Sequence, residues 1–305
     1  MKFCADVGGS FTQVAILDDE TAILHRERHV TPADDRAAFV EIFRVAQSRH
    51  AGLLAPDTPL SIALAALIEP ATGLTKSANL PCVDGRVLAT DLGAALGRPV
   101  VVTNDADCFV LAEAKLGCAR GHSRVFGIIL GTGVGGGLVL DGRLVTGEGG
   151  VSGEWGHGPI ITRSRTDPMA TPYFPCGCGR WGCLDTVGAA RGLERLHHWL
   201  HGETVHSRRI TAAWEAGDPA AVETIDLYLN LVSGPLAAVL NTFPASIVPV
   251  GGGLSTCARL VAELDVHVRR GMLKPPSEAM LVATSLGGDA GLLGAALAAE
   301  DDSSA

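Results

Sequence analysis

The chain has 305 residues, with 24 Lys and Arg against 33 Asp and Glu, and therefore a formal net charge of −9. This acidic balance argues against a nucleic-acid partner, because no surplus of basic side chains is present to meet phosphate groups. No apolar run reaches the roughly 20 residues of a membrane span, and the first residues lack the apolar core of a signal peptide. We therefore expect a cytoplasmic protein with no membrane partner.

Strand and helix patterns alternate along the chain, which implies an α/β fold, and the length is typical of two domains. The predicted strands cover 2–7, 12–17, 22–30, 59–65, 100–103, 125–130, 135–140 and 246–250. The predicted helices cover 32–50, 89–96, 105–116, 188–201, 208–217, 219–241, 255–268 and 289–299. His197 and His198 fall in the fourth helix, and we expect them at the surface.

The first strand ends in the sequence Asp6-Val7-Gly8-Gly9-Ser10. Gly8 and Gly9 let backbone N–H groups approach a phosphate, and the Ser10 hydroxyl adds a donor. Asp6 could hold the water shell of Mg²⁺. An ordinary hairpin with a glycine pair is the alternative.

A second glycine-rich stretch, with five glycines in residues 131–137, lies between two predicted strands. Glycines weaken strands, so packing alone does not explain this density. The stretch can be aligned to the dinucleotide fingerprint GxGxxG, but that motif requires a following helix, whereas residues 138–142 read as a strand and a turn. We therefore exclude dinucleotide binding and expect Gly131, Thr132 and Gly133 to contact a nucleotide.

Two further glycine stretches lie in the last quarter of the chain. Gly251, Gly252 and Gly253 stand between a strand and a helix and could hold a base and a ribose. Residues 286–291 open the last helix, where Asp289 either caps the helix or contacts a ligand.

Asn104 and Asp105 stand where a predicted strand ends and a helix begins. Ligands gather at the carboxyl ends of strands in open α/β sheets, and the helix dipole keeps a carboxylate ionised there. The two side chains are candidates for a reactive site, or they merely cap the helix.

Cys176, Cys178 and Cys183 place three thiols within eight residues. Zn²⁺ prefers four tetrahedral nitrogen or sulfur ligands, and the nearest upstream candidate is His157. A Cys₃His set supplied entirely by the protein is closed, so this zinc would be structural. A redox-active cysteine pair and a zinc knuckle are the alternatives.

The chain resembles the ROK family of sugar kinases and repressors, and most closely its bacterial N-acetylglucosamine kinases. The motifs that carry the resemblance occur in family order at residues 6–10, 104–107, 130–137, 153–157 and 176–183. The resemblance implies the two-lobed actin-like, hexokinase-like ATPase fold with ribonuclease-H-like lobes. Residues 1–118, joined by a C-terminal helix at 289–300, would form the small lobe. Residues 119–288, with a zinc-binding segment at 157–183, would form the large lobe, and residues 301–305 a frayed tail.

The resemblance also implies an activity, transfer of phosphate from MgATP to the 6-hydroxyl of N-acetylglucosamine or glucose, in a homodimer. Asp105 would be the catalytic base, which suits a loose transition state in which the proton leaves late. The implied sugar ligands are Asn79, Asn104, Asp105, Glu154, His157 and Asp185. The implied nucleotide ligands are Asp6, Gly8, Gly9, Ser10, Gly131, Thr132, Gly133, Gly251, Gly252 and Gly253. The zinc would orient Glu154 and Asp185.

The chain departs from the family pattern at three places. Phe11 stands where many relatives have Lys, Ala65-Ala66 where many have Pro-Gly, and Asp185 where most have Glu. These departures leave the sugar open, so that fructose, N-acetylmannosamine and allose stay as alternatives. A sugar-sensing regulator without catalysis and an inactive zinc-stabilised scaffold are the two readings of a different class.

Overall fold

The computed structural model describes residues 1–77, 79–161 and 171–302. The strands are β1 (Lys2–Val7), β2 (Phe11–Leu17), β3 (Ile23–Val30), β4 (Leu60–Leu64), β5 (Leu67–Ile68), β6 (Leu74–Lys76), β7 (Arg86–Val87), β8 (Val100–Asn104), β9 (Arg124–Leu130), β10 (Val134–Leu140), β11 (Arg143–Leu144), β12 (Val248–Gly251) and β13 (Leu281–Ala283). The helices are α1 (Arg36–Arg49), α2 (Leu88–Leu96), α3 (Asp105–Lys115), α4 (Ala190–His201), α5 (Ser207–Glu215), α6 (Pro219–Thr242), α7 (Ala258–Gly271) and α8 (Ala290–Asp302).

The first of two compact units comprises Met1–Lys115, Gly142–Ser152 and the chain from Gly288 onwards. Its main sheet has the order β3-β2-β1-β4-β8, with β1, β4 and β8 parallel and β2 and β3 antiparallel to their neighbours. Ile62 and Leu64 pack with Phe39 and Phe43 of α1 in one core. Ala63 points to the other face, as alternation along a strand requires, and packs with α3 and α8.

Helices α3 and α8 approach each other closely. A side chain at Gly294 would overlap the carbonyl group of Cys108, so only glycine fits at this crossing. Nearly all of α3 is buried, from Ala106 to Glu113. The first residue of α3 is therefore held by packing along the whole helix.

The second unit comprises Leu116–Asp141 and Gly153–Gly287. Its sheet carries the strands in the order β10-β9-β12-β13, where β9 and β10 form an antiparallel hairpin and β9, β12 and β13 run parallel. Helices α4 to α7 supply much of the core. Tyr228 of α6 is fully buried, and its hydroxyl donates to the carbonyl oxygen of Gly188 at 3.0 Å.

The α/β class predicted from the sequence is confirmed, with several local differences. Helix α1 begins at Arg36 instead of residue 32, because the carboxylate of Asp35 caps it by accepting from the N–H of Ala38 at 3.0 Å. The short sheet β5-β6-β7 and strand β13 were not predicted. The expected tail starts inside α8, which runs to Asp302, and residues 303–305 lie outside the described residues.

His197 was expected at the surface, but it is buried between α4 and α6, where its Nδ1 lies 2.8 Å from the hydroxyl of Thr224. Histidine can be buried on the inner face of an amphipathic helix when a hydroxyl group forms a hydrogen bond with its ring. No helix of the described residues combines the length and the apolar character that a membrane crossing requires.

Candidate functional site

The turn after β1 in the first unit is held by a residue that the sequence did not indicate. The hydroxyl of Thr31 donates to the carbonyl oxygen of Gly8 at 2.7 Å, and its N–H donates to that of Ser10 at 3.0 Å. A Cβ atom at Gly9 would lie 3.4 Å from the Cβ of Asn79. The turn is thus rigid, and it brings Asn79 beside Gly9.

Asp6, at the end of β1, packs against the start of α8. A Cβ atom at Gly291 would lie 2.7 Å from Oδ2 of Asp6, so this approach requires glycine. Burial raises the pKa of Asp6 to about 6. A hydrated cation beside it would restore the ionised form, and Mg²⁺ prefers such oxygen ligands.

Asn104 caps helix α3. Its Oδ1 accepts from the N–H groups of Ala106 at 2.9 Å and Asp107 at 3.1 Å, and its Nδ2 donates to the carbonyl oxygen of Ala66 at 3.0 Å. Of the two roles left open by the sequence, capping therefore belongs to Asn104. Its amide also ties the helix to the turn after β4.

Asp105 is the first residue of α3, and its Oδ1 accepts from the N–H of Ala106 at 3.0 Å. Burial raises the pKa of the Cys108 thiol far above its usual range, and the carboxylates of Asp107, Asp6 and Asp105 raise it further. Asp6 and Asp105, which are 99 positions apart in sequence, thus act on the same buried sulfur. The sheet topology places the two acids in one neighbourhood because β1 and β8 both run parallel to β4.

In the second unit, the glycine-rich hairpin between β9 and β10 lies against the turn after β12. A side chain at Gly252, whose φ is +83°, would overlap the backbone of Leu130 and Gly131. The N–H of Ala190 donates to the carbonyl oxygen of Gly131 at 2.9 Å. The second and third glycine stretches therefore meet, as a common nucleotide site requires, and Thr132 is exposed at the hairpin tip.

A hydrogen bond from Trp155 joins the segment with Glu154 and His157 to β10. The indole N–H of Trp155 donates to the carbonyl oxygen of Gly135 at 2.9 Å, a contact that no local pattern predicts. Burial raises the pKa of Glu154, while nearby His157 lowers it and Asp185 raises it. Oε2 of Glu154 lies 3.7 Å from Nε2 of His157.

His157, Cys176, Cys178 and Cys183 bring four ligand atoms within 4.8 Å of one another. The Sγ atoms of Cys178 and Cys183 are 3.6 Å apart, as are Sγ of Cys176 and Nδ1 of His157. A tetrahedron with zinc–ligand bonds of about 2.0–2.3 Å has edges of about 3.5–3.8 Å, so the donor set fits zinc. The Glu154 carboxylate lies near Nε2 of His157, the ring nitrogen that faces away from Cys176. A carboxylate in this position is typical of a partner that orients a metal-binding histidine.

The thiols of this group differ in acidity. The backbone N–H of Arg180, together with side-chain hydrogen bonds from Cys176 and Cys183, lowers the pKa of exposed Cys178 to about 6. Burial raises the pKa of Cys176 to about 12. The N–H of Gly158 donates to Sγ of Cys183 at 3.4 Å, which ties the last cysteine to the residue after His157. Part of the predicted segment 157–183, residues 162–170, lies outside the described residues.

Asp185 lies in the short 3₁₀ turn Leu184–Thr186 that follows the last cysteine. Its N–H donates to the carbonyl oxygen of Gly156 at 2.9 Å. Its Oδ1 accepts from the N–H of Val134 at 2.8 Å, at the start of β10. The carboxylate therefore contacts the glycine-rich hairpin.

Residues 2–302 match the model of the ROK family. The chain belongs to the ROK family. It is similar to an N-acetylgalactosamine kinase of a Shewanella species, with 33% identity over 97% of this chain and 96% of that protein. It is equally similar, at 33% identity, to an N-acetyl-D-glucosamine kinase of Photobacterium profundum, over 97% of this chain and 98% of that protein.

Among solved structures, this ROK protein resembles a ROK family glucokinase from Streptomyces griseus in complex with glucose and AMPPNP. The TM-score is 0.80 and the identity 26%, covering 98% of this chain and 99% of that one. The hexokinase-like fold expected from the family resemblance is thereby confirmed.

The predicted site residues of this ROK protein divide between the two units. The first unit carries Asp6, Gly8, Gly9, Ser10, Asn79, Asn104 and Asp105. The second carries Gly131, Thr132, Gly133, Glu154, His157, Cys176, Cys178, Cys183, Asp185, Gly251, Gly252 and Gly253. The first unit therefore holds one glycine-bearing strand turn and the second holds two, and each unit holds more than one candidate sugar ligand.

Proposed function

We propose that this ROK protein is an ATP-dependent sugar kinase that phosphorylates the 6-hydroxyl of an N-acetylhexosamine, with N-acetylglucosamine as the first candidate and glucose as the second. The observation that carries the proposal is the placement of Asp105 at the first turn of α3, beside the capping residue Asn104. The full-length similarity to two N-acetylhexosamine kinases supports the substrate class.

Asp105 is proposed as the general base. The O–H bond of the 6-hydroxyl breaks and its proton passes to the Asp105 carboxylate while the oxygen bonds to the γ-phosphorus of ATP. The bond from that phosphorus to the bridging oxygen breaks and releases ADP. Because the transition state is loose, a carboxylate of ordinary basicity is sufficient, and general base catalysis contributes about 10²- to 10⁴-fold.

The nucleotide is proposed to contact the turn at Gly8, Gly9 and Ser10 and the stretches 131–133 and 251–253. The turn pinned by Thr31 and the contact of Gly252 with Gly131 support this assignment, because rigid backbone amides bind phosphate without a further loss of entropy. Mg²⁺ would enter with ATP, and Asp6 would hold its water shell. The bound cation would neutralise phosphate charge during transfer.

The sugar hydroxyls are proposed to bind Asn79, Asn104, Asp105, Glu154 and His157. Burial raises the pKa of Glu154, and carboxyl groups with shifted pKa values are typical of functional sites. The family resemblance adds Asp185 to this set, although its contact with Val134 supports a different role.

Zinc is proposed at His157, Cys176, Cys178 and Cys183. Four protein ligands leave no open position, so the ion would take no part in phosphoryl transfer. It would hold the chain just after Glu154, at His157, and just before Asp185, at Cys183. A homodimer and a cytoplasmic location are proposed from the family resemblance alone, and sedimentation equilibrium and cell fractionation test them.

The deciding experiment is a coupled assay of ADP release over a panel of sugars. The panel holds N-acetylglucosamine, N-acetylgalactosamine, glucose, N-acetylmannosamine, fructose and allose, with Asp105→Asn as the inactive control. We expect turnover that depends on the sugar and is highest with an N-acetylhexosamine. A sugar-dependent rise in Tm without ADP release would instead identify a sensor. If the protein shows neither ADP release nor a rise in Tm, the scaffold alternative is favoured.

A further inference from the structure

Asp185 faces the glycine-rich hairpin at short range. Oδ1 of Asp185 lies 2.8 Å from the backbone nitrogen of Val134, and a charged acceptor makes this hydrogen bond stronger than an ordinary one. The same oxygen would lie 2.5 Å from a Cβ atom at Gly133. Gly133 belongs to the stretch 131–133 that the proposed function assigns to the nucleotide, and Val134 is the next residue along the hairpin.

Gly133 is constrained by this carboxylate. The atoms within 4 Å of its ideal Cβ position are all atoms of the Asp185 carboxylate group, and its φ does not lie in the left-handed region. An alanine would therefore fit the backbone and its other surroundings, and would clash with Asp185. The glycine is required by the acid beside it.

The chain at Asp185 and just before it is tied to the proposed metal ligands. Cys183 precedes it by two residues, and the N–H of Asp185 donates at 2.9 Å to the carbonyl oxygen of Gly156, the neighbour of His157. A Cβ atom at Gly156 would in turn lie 2.8 Å from the carbonyl oxygen of Val134. The hairpin strand β10 is thus held at Val134 from two sides, by the turn at Asp185 and by Gly156.

We infer that Asp185 is a positioning residue that fixes the hairpin at Gly133 and Val134 for the nucleotide. This inference rests on the proposed function for its kinetic readout. Substitution of a residue that positions the nucleotide hairpin raises the KM for ATP, whereas substitution of a sugar ligand raises the KM for the sugar. The two roles can therefore be separated by one set of variants.

The kinetic test compares Asp185→Ala, Asp185→Asn and the control Asp226→Asn, an exposed acid on α6. Loss of the hydrogen bond in Asp185→Ala is expected to raise the KM for ATP about five- to tenfold and to leave the KM for the sugar within about twofold. Asp185→Asn keeps an oxygen acceptor for Val134 and should stay close to the parent protein. A rise in the KM for the sugar with an unchanged KM for ATP would overturn the inference.

A double-mutant cycle in thermal unfolding provides a readout without catalysis. Gly133→Ala should lower Tm by about 3–6 °C in the parent chain but have little further effect in Asp185→Ala, where the clashing carboxylate is gone. Gly234→Ala, at a helical glycine with open space around its Cβ position, is the matched control and should not lower Tm. An equal loss of Tm in both backgrounds would overturn the inference.

Zinc content distinguishes the hairpin from the metal group. We expect Asp185→Ala to retain zinc in the same ratio as the parent protein, and loss of zinc would assign Asp185 to the metal site and overturn the inference. If the parent protein turns over no sugar, the proposed function fails by itself. The unfolding cycle and the zinc measurement then still decide the role of Asp185.

Discussion

The start of α3 and the segment around the cysteines position their polar side chains by different means. At α3, Asn104 and Asp105 bond to backbone N–H groups within three residues of themselves. In the second unit, Asp185 bonds to Val134, which is 51 positions away, and Trp155 bonds to Gly135, which is 20 positions away. Local backbone therefore orients the proposed catalytic acid, whereas long-range contacts position the acid of the metal segment.

The largest effect is expected at the proposed catalytic acid, Asp105. Asp105→Asn should lower kcat about 10²- to 10⁴-fold, because the amide cannot accept the proton of the sugar hydroxyl. Helix α3 keeps its Asn104 cap, so Tm should stay close to that of the parent protein. Steady-state ADP release measures the effect, with exposed Asp57→Asn as control. Turnover within about twofold of the parent protein would remove Asp105 from the mechanism.

The metal segment is tested by Cys178→Ser, a substitution at an exposed position that disturbs little packing. We expect loss of bound zinc, measured by plasma mass spectrometry. We also expect Tm to fall by roughly 5–10 °C, because the binding free energy of the ion contributes to the stability of this segment. Cys257→Ser outside the group should keep both values. If the parent protein contains no zinc and Cys178→Ser has the same Tm as the parent protein, the metal site is refuted.

The buried acid of the first unit gives a pH-dependent prediction. The pKa of Asp6 rises from its ordinary value of 3.8 to about 6, so the folded chain binds this proton more tightly than the unfolded chain. Stability therefore falls as the pH rises from about 4 to 6, and the full cost of about 3 kcal/mol is present above that window.

Asp6→Asn should accordingly be more stable than the parent protein at pH 8 by up to about 3 kcal/mol, and equal to it near pH 4. Urea unfolding at the two pH values, without added magnesium, measures the difference. Asp57→Asn should show no such dependence. Equal stabilities at pH 8 would mean that Asp6 is solvated in the folded protein.

The smallest effect is expected at the helix cap. Asn104→Ala should cost about 1–2 kcal/mol of unfolding free energy, because two N–H groups of α3 and the carbonyl group of Ala66 lose their partner. Asn104→Asp keeps the acceptor for the helix and should recover part of the loss. If the two variants unfold alike, the cap makes no contribution.

Much of the site was predictable because its signals are local. The thiol spacing at Cys176, Cys178 and Cys183 predicted a metal group, and the four ligand atoms do converge. The strand-to-helix step at Asn104 predicted a helix start, which the structure has at Asp105. The role of Thr31 in pinning the turn at Gly8 was not predictable, since a lone threonine after a strand carries no signal of its partner.

The sequence by itself determined the alternation of strands and helices, the glycine turns and the thiol spacing, because apolar periodicity and backbone freedom act within a few residues. Only the tertiary structure decided which distant groups meet. Strand β13 is held by buried Asp265, whose Oδ1 accepts from the N–H groups of Met280 at 2.9 Å and Leu281 at 3.0 Å. Asp185 accepts from the N–H of Val134 in the same way. Such pairings follow from the path of the whole chain, since a buried carboxylate bonds to whichever N–H groups the fold brings to it.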